Sequence, residues 1–259
     1  MGIHRDLIVS NTLLGRQRAL MESMSENGYL FFREFINPDE MRAIGDCILS
    51  TCRQSGWLDD SDSSMPKFSG INIPDSEHDS AYEEFRAIVS QSPVFRRFPR
   101  DRHFRRLMSS LLGNNTTSQC KKLVRICFPN SPQMAAPPHQ DYFYMRGIRH
   151  FYTAWFSIFD CPVQLGGLAL LRGSHKNGRL AHMKMDGVGG MGVNLDKDIC
   201  WDVSNYGVGD VVIFHKNIIH KGIENNTNNK LRISLDTRLH KKMPNRVSRL
   251  VSSLTDKLT

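Results

Sequence analysis

Apolar positions are spaced mostly for helices up to Gly113 and mostly for strands beyond Lys121. Leu13, Leu14, Leu20, Met21 and Met24 predict a helix within Asn11 to Asn27, stopped at Asn27-Gly28. Tyr29-Leu30-Phe31-Phe32 reads as a short strand. Asn37-Pro38-Asp39-Glu40 opens a second helix that runs to about Arg53, with Pro in its first turn. Ser80 to Ser90 and Pro99 to Leu112 read as two more. Around the last of these, Phe95, Phe98 and Phe104 are interleaved with Arg96, Arg97, Arg100, Arg102, Arg105 and Arg106. That pattern buries the rings and leaves the guanidiniums in water.

Downstream, strands are expected at Lys121 to Phe128, Tyr152 to Phe159 and Leu168 to Leu171. In the second of these, Thr153, Trp155 and Ser157 share a face. Gly209-Asp210 turns into the apolar run Val211 to Phe214. The stretch Lys230 to Asp236 alternates, with Leu231, Ile233 and Leu235 facing one way and Arg232, Ser234 and Asp236 the other. Such a polar face is solvated on a one-sided sheet and lines a cavity in a barrel. Trp57 to Ser80 is long and rich in Asp, Ser, Pro and Gly, as an active-site lid or a surface loop would be. The Gly-rich run Gly187 to Gly192 lacks the Lys-Ser/Thr of a phosphate loop and reads as a flap. Lys241 to Thr259 is a basic tail with helical character.

Composition sets limits. The 259 residues suit one domain, with a core expected at about 15–240. No apolar run approaches the ~18 residues of a membrane span, and the first residues lack an apolar signal region. Six Cys (47, 52, 120, 127, 161 and 200) form no CxxC pair, which suits reduced thiols and a cytoplasmic protein. The net charge of +8 fits solubility; nucleic-acid binding would be the functional alternative.

Candidate chemistry centres on Pro137-Pro138-His139-Gln140-Asp141. On an extended chain His139 and Asp141 project from one face, giving half of a metal site. Two His and one carboxylate with open positions is the arrangement of non-heme Fe(II) oxygenases. The second His is either His215, directly after the apolar run, or His220. His4, His78, His103, His150, His182 and His240 have no partner at metal-ligand spacing.

Four motifs, in order, carry a resemblance. They are His139-Gln140-Asp141, Gly173-Ser174-His175-Lys176, Gly209-Asp210 through His220, and Arg232-x-Ser234-x-Asp236-x-Arg238. Over roughly residues 15–240 they are similar to the phytanoyl-CoA dioxygenase family of Fe(II)/2-oxoglutarate-dependent oxygenases. The resemblance implies a mainly β fold, a double-stranded β-helix or jelly-roll barrel, with helices packed on one sheet. It implies His139, Asp141 and His220 as iron ligands and leaves His175 to a structural turn. It also implies that Arg232 forks onto the distal carboxylate of 2-oxoglutarate, with Ser234 adding a hydroxyl and Thr153 and Trp155 close by. Related halogenases carry a small residue at the carboxylate position, so Asp141 points to oxygenation. The expected reaction consumes O2 and 2-oxoglutarate, releases succinate and CO2, and hydroxylates a C–H bond of a small molecule. Tyr142, Tyr144 and Trp201 are candidate substrate contacts. A metal-binding cupin without turnover would not need Arg232, and a nucleic-acid-directed oxygenase rests on charge alone. Substrate identity and oligomeric state are not written in the sequence.

Overall fold

The computed structural model describes residues 4–59, 65–113, 117–145, 147–196 and 199–241. The expected tail beyond Lys241 lies outside them. Five helices come mostly from the first half: α1 (Gln17–Asn27), α2 (Pro38–Gln54), α3 (Ser80–Gln91), α4 (Pro93–Arg97) and α5 (Arg102–Leu112). The strands are β1 (His4–Asp6), β2 (Tyr29–Phe32), β3 (Thr117–Cys127), β4 (Phe151–Ser157), β5 (Leu168–Leu170) and β6 (Met183–Lys184). They continue with β7 (Met191–Gly192), β8 (Trp201–Val203), β9 (Val211–His215), β10 (His220–Gly222) and β11 (Arg232–Lys241).

Local chemistry explains the helix starts. Asn37 accepts from the Asp39 N–H at the head of α2, with Pro38 in the first turn. Asp101 does the same for α5, accepting from the His103 and Phe104 N–H groups. The expected helix over Asn11 to Asn27 is broken. A 3-10 turn covers Asn11–Leu13, Gly15 takes a φ of +78°, and α1 begins only at Gln17. A left-handed residue ends a helical path, and Gly adopts that conformation without steric cost.

Two sheets face each other. The larger has strand order β2-β9-β4-β11-β3, and the smaller β1-β8-β5-β10; β6 and β7 form a separate hairpin. The period-2 alternation of the larger sheet decides its two faces. Leu30, Phe32, Ala154, Phe156, Val211, Ile213, Ile233 and Leu235 join the core that α2, α3, α4 and α5 cover. Tyr29, Phe31, Trp155, Val212 and Phe214 pack toward the smaller sheet with Leu168, Leu170 and Tyr206. The result is the jelly-roll arrangement with helices on one sheet. On α5, Phe104, Leu107, Met108 and Leu111 are buried while Arg102, Arg105 and Arg106 are exposed, as the interleaving predicts.

Phe156 joins the helices to the sheet. It is fully buried, with ring centroids 5.0 Å from Phe98 and 5.5 Å from Phe104. Phe156→Ala is expected to cost about 3–5 kcal/mol, read as a lower urea midpoint with an unchanged slope.

Candidate metal centre

The segment carrying His139 is extended only briefly and joins no regular strand. His139 forms a single bridge to His220, Gln140 is extended, and Asp141 opens a 3-10 turn over Asp141–Phe143. The bridge is reciprocal: the His139 N–H donates to the His220 carbonyl at 2.9 Å and the His220 N–H to the His139 carbonyl at 3.0 Å. It lays the two imidazoles side by side with centroids 4.2 Å apart. The extended Gln140 then returns Asp141 to the same side. Ligating atoms of His139, Asp141 and His220 all lie within 4.8 Å of one another, and all three residues are buried.

Each ring is fixed from behind. Nδ1 of His139 lies 2.7 Å from the Pro137 carbonyl, and Nδ1 of His220 lies 3.2 Å from that of Ile218. The Nδ1–H tautomer satisfies both and leaves each Nε2 bare as a ligand atom. Both Nε2 atoms stand 3.8 Å from Oδ1 of Asp141. Burial lowers both imidazole pKa values, which keeps them neutral. Burial alone would raise the Asp141 carboxyl, but the Arg238 guanidinium beside it holds it well below the usual carboxylate range. Arg238 forks onto Asp141, with Nη2 donating to Oδ1 at 2.9 Å and Nε to Oδ2 at 3.2 Å. Thr153 Oγ1 donates to Oδ2 as well.

Strand β11 supplies the next group. Arg232 is 4% exposed. Its Nε donates to the Gly166 carbonyl at 2.6 Å, Nη1 to Ser234 Oγ at 2.7 Å and Nη2 to Cys127 Sγ at 2.7 Å. All three acceptors are neutral groups. Among the described residues, no carboxylate forms an ion pair with Arg232. Arg232 lines a narrow inner cavity with His139, His220, Thr153 and Trp155. A wider outer cavity of about 360 Å³ adjoins it, lined by His139, Asp141, Arg125, Tyr144, Glu77 and Arg86 among others. Val188, from the Gly-rich run, borders both. Gly187 there has a φ of +108°, and a Cβ on it would stand 2.3 Å from the Ala135 carbonyl.

His139, Asp141, His220, Arg232, Thr153, Trp155 and Tyr144 thus meet around two joined cavities, and Ser234 supports Arg232. Other expected contacts sit elsewhere. Tyr142 turns away, its hydroxyl donating to the Leu180 carbonyl at 2.6 Å, and lines a separate groove with Phe143, Arg179 and His182. Trp201 is buried under Lys221, whose Nζ lies 4.8 Å from its ring, outside both cavities. His215 shares strand parity with Ile213, on the face that the helices cover, whereas Phe214 meets His220 at 4.6 Å. His175 sits in a 3-10 turn, with Nε2 2.9 Å from the Ser25 carbonyl. The sequence reading gave no role to Arg125, Cys127, Glu77 or Arg238. A charge set between Val124 and Ile126 in an apolar strand was the available signal for Arg125.

Comparison with known proteins adds lineage. A 1-deoxypentalenic acid 11-beta-hydroxylase from Streptomyces exfoliatus is 32% identical over 120 residues, covering 42% of this chain and 42% of that protein. This chain therefore matches under half the length of that relative. The non-heme monooxygenase ThoJ has a TM-score of 0.62 at 17% identity, over 86% of this chain and 77% of its own. The epimerase SnoN, in complex with Fe3+, alpha ketoglutarate and nogalamycin RO, has a TM-score of 0.58 at 17% identity, over 87% and 84%. These structural likenesses concern the fold. The family model described as phytanoyl-CoA dioxygenase (PhyH) matches residues 24–234, most of the chain, and the chain belongs to that family.

Proposed function

We propose that this chain is an Fe(II)- and 2-oxoglutarate-dependent oxygenase that hydroxylates a C–H bond of a small molecule. One observation carries the reading: a buried guanidinium paired with no carboxylate among the described residues shares a cavity with the two histidines of a buried His-Asp-His triangle. An uncompensated buried cation is costly, so Arg232 calls for a carboxylate from outside the chain. The triangle calls for a cation that takes imidazole and carboxylate and leaves positions open, which suits Fe(II). A 2-oxo diacid reaches both at once, with one carboxylate on Arg232 and its 2-oxo acid end at the metal. The hydroxylase relative and the neighbour bound to Fe3+ and alpha ketoglutarate support the same assignment.

In this reading Nε2 of His139, Nε2 of His220 and a carboxylate oxygen of Asp141 hold the ion. Arg232 and Ser234 bind the distal carboxylate. Thr153 and Arg238 fix the Asp141 carboxylate, and Trp155 walls the inner cavity against water. When bound, the metal and the 2-oxo acid supply the oxygen activation that breaks the C–H bond. Hydrogen abstraction needs no side-chain base, and the chain's residues only bind, orient and exclude water.

Three outcomes test this. His220→Ala is expected to abolish Fe(II) binding and His215→Ala to retain it, measured by metal titration; the reverse result would exchange the two roles. Arg238→Leu should weaken Fe(II) binding by about 10- to 100-fold through loss of the group that orients Asp141. Arg238→Lys should recover part of it, and a melting curve shows whether each variant folds. Arg232→Ala should weaken 2-oxoglutarate by roughly 30-fold or more while Fe(II) binding persists. The check is an anaerobic titration followed by the metal-to-ligand charge-transfer band. Equal affinity in the two proteins refutes the role of Arg232. If the native chain shows no band, it is a metal-binding module rather than an oxygenase.

A further inference from the structure

We infer that Arg125 selects the substrate by pairing with a carboxylate on the molecule to be oxidised, which makes that molecule a monoanion. The inference rests on the oxygenase reading and adds to it the chemical class of the substrate.

Arg125 lies on β3 opposite Ser234 of β11 and lines both cavities. Its Nε donates to Asp236 Oδ2 at 3.0 Å. Among the described residues, its terminal nitrogens Nη1 and Nη2 donate to no protein group. They are not sealed away, since the side chain is 27% exposed in the wall of the cavities. The neighbouring cation differs. Arg238 spends Nε and Nη2 on Asp141 and Nη1 on Asp236. Asp236 is thus shared by two guanidiniums. Glu77, the other carboxylate acting on Arg125, accepts from the Gly189 N–H at 2.5 Å and lies 3.8 Å from Arg86.

Charge balance points the same way. Arg125, Arg232 and Arg238 stand against Asp141 and Asp236, three positive groups to two negative, beside two neutral imidazoles. A ferrous ion would add two positive charges and 2-oxoglutarate two negative ones, so the sum over these cavity-lining residues stays at one positive charge. At the rim, Arg86 and Glu77 offset each other, and Glu83 is 55% exposed, where water screens it. The open donors belong to one planar guanidinium, whose Nη1 and Nη2 match the two oxygens of a carboxylate. Because Arg125 and His139 border the same 360 Å³ space, an acid held on Arg125 extends its carbon skeleton toward the metal ligands.

The experiment uses the full chain loaded with Fe(II) and 2-oxoglutarate. The probes are cyclic monocarboxylic acids sized to the outer cavity, each beside its methyl ester. Two signals are read: succinate release under air and perturbation of the charge-transfer band without oxygen. The native chain is expected to respond to at least one acid at about tenfold or more lower concentration than to its ester. Arg125→Gln should bring acid and ester together by losing the acid, and Arg125→Lys should keep part of the preference. A purely structural role would not change that ratio, and melting curves show whether both variants fold. Equal response to acid and ester, or no response to any acid, overturns the proposal. So does an Arg125→Gln variant that weakens 2-oxoglutarate as much as Arg232→Ala, for then Arg125 serves the co-substrate. Absence of the charge-transfer band in the native chain is a separate result, and it overturns the oxygenase reading itself.

Discussion

Strand β11 is buried on both faces, and one of them is charged. Ile233, Leu235 and Leu239 enter the core under the helices, while Arg232, Asp236 and Arg238 point between the sheets. Charges in such a place persist only when paired or bound to ligands. Arg238 is paired twice, to Asp141 and Asp236, and Arg125 closes the other side of Asp236. The chain of pairs runs from β3 through β11 to the loop bearing Asp141, so the Asp141 carboxylate is positioned by the same contacts that make the strand's interior face tolerable. Arg232 stands outside this chain with neutral acceptors only. What is incomplete about the charge pattern is therefore local, and it lies beside the His139, Asp141 and His220 side chains.

Those side chains are held before any ligand arrives. A reciprocal pair of backbone hydrogen bonds sets the spacing of the two imidazoles, and two carbonyls set their tautomers. Asp141 is held by a guanidinium fork and a threonine hydroxyl. A carboxylate has more acceptor positions than Arg238 and Thr153 occupy, so Asp141 could hold an ion and keep these contacts. Metal binding then requires little rearrangement, which is what tight and selective coordination needs.

Much of this was legible in the sequence, and the reasons are physical. Period-2 alternation in Lys230 to Asp236 and Tyr152 to Phe159 carries the two-faced sheet, because every second side chain goes to the same side. That alternation puts Arg232, Thr153 and Trp155 around one cavity, with Ser234 behind Arg232. The same rule, applied from Ile213 to His215, also separates His215 from the site. It holds at His139-Gln140-Asp141 without a regular strand, since an extended Gln140 between a single bridge and a turn keeps the two side chains on one side. Partners distant in sequence were beyond its reach. Asp236 and Arg238 share a face two residues apart, but nothing local to Arg125 reveals that it also meets Asp236, since that contact depends on β3 and β11 pairing in one register. Tyr142 shows the converse limit. It adjoins Asp141, but the 3-10 turn at Asp141–Phe143 rotates successive side chains to different sides.

The two cavities draw on different parts of the fold. The inner one is walled largely by sheet residues, among them Thr153 and Trp155 of β4, Phe214 of β9 and Arg232 of β11. Residues on paired strands have little freedom to move, which suits a co-substrate that does not vary. The outer one takes Glu77 from a connecting segment, Glu83 and Arg86 from α3, Tyr144 from the turn after Asp141, and Val188 and Gly189 from the Gly-rich run. Glu77 and Tyr144 tie that run down, through the Gly189 N–H and the Met191 carbonyl. Segments outside the sheets tolerate substitution and insertion without disturbing strand register. A rigid inner wall beside a loop-built outer one lets a scaffold vary the second without disturbing the first. Arg125 of β3 and Arg238 of β11 join the two, strand residues that line both cavities, so the charge at their junction is set by the sheet while the rest of the outer wall is left to the loops.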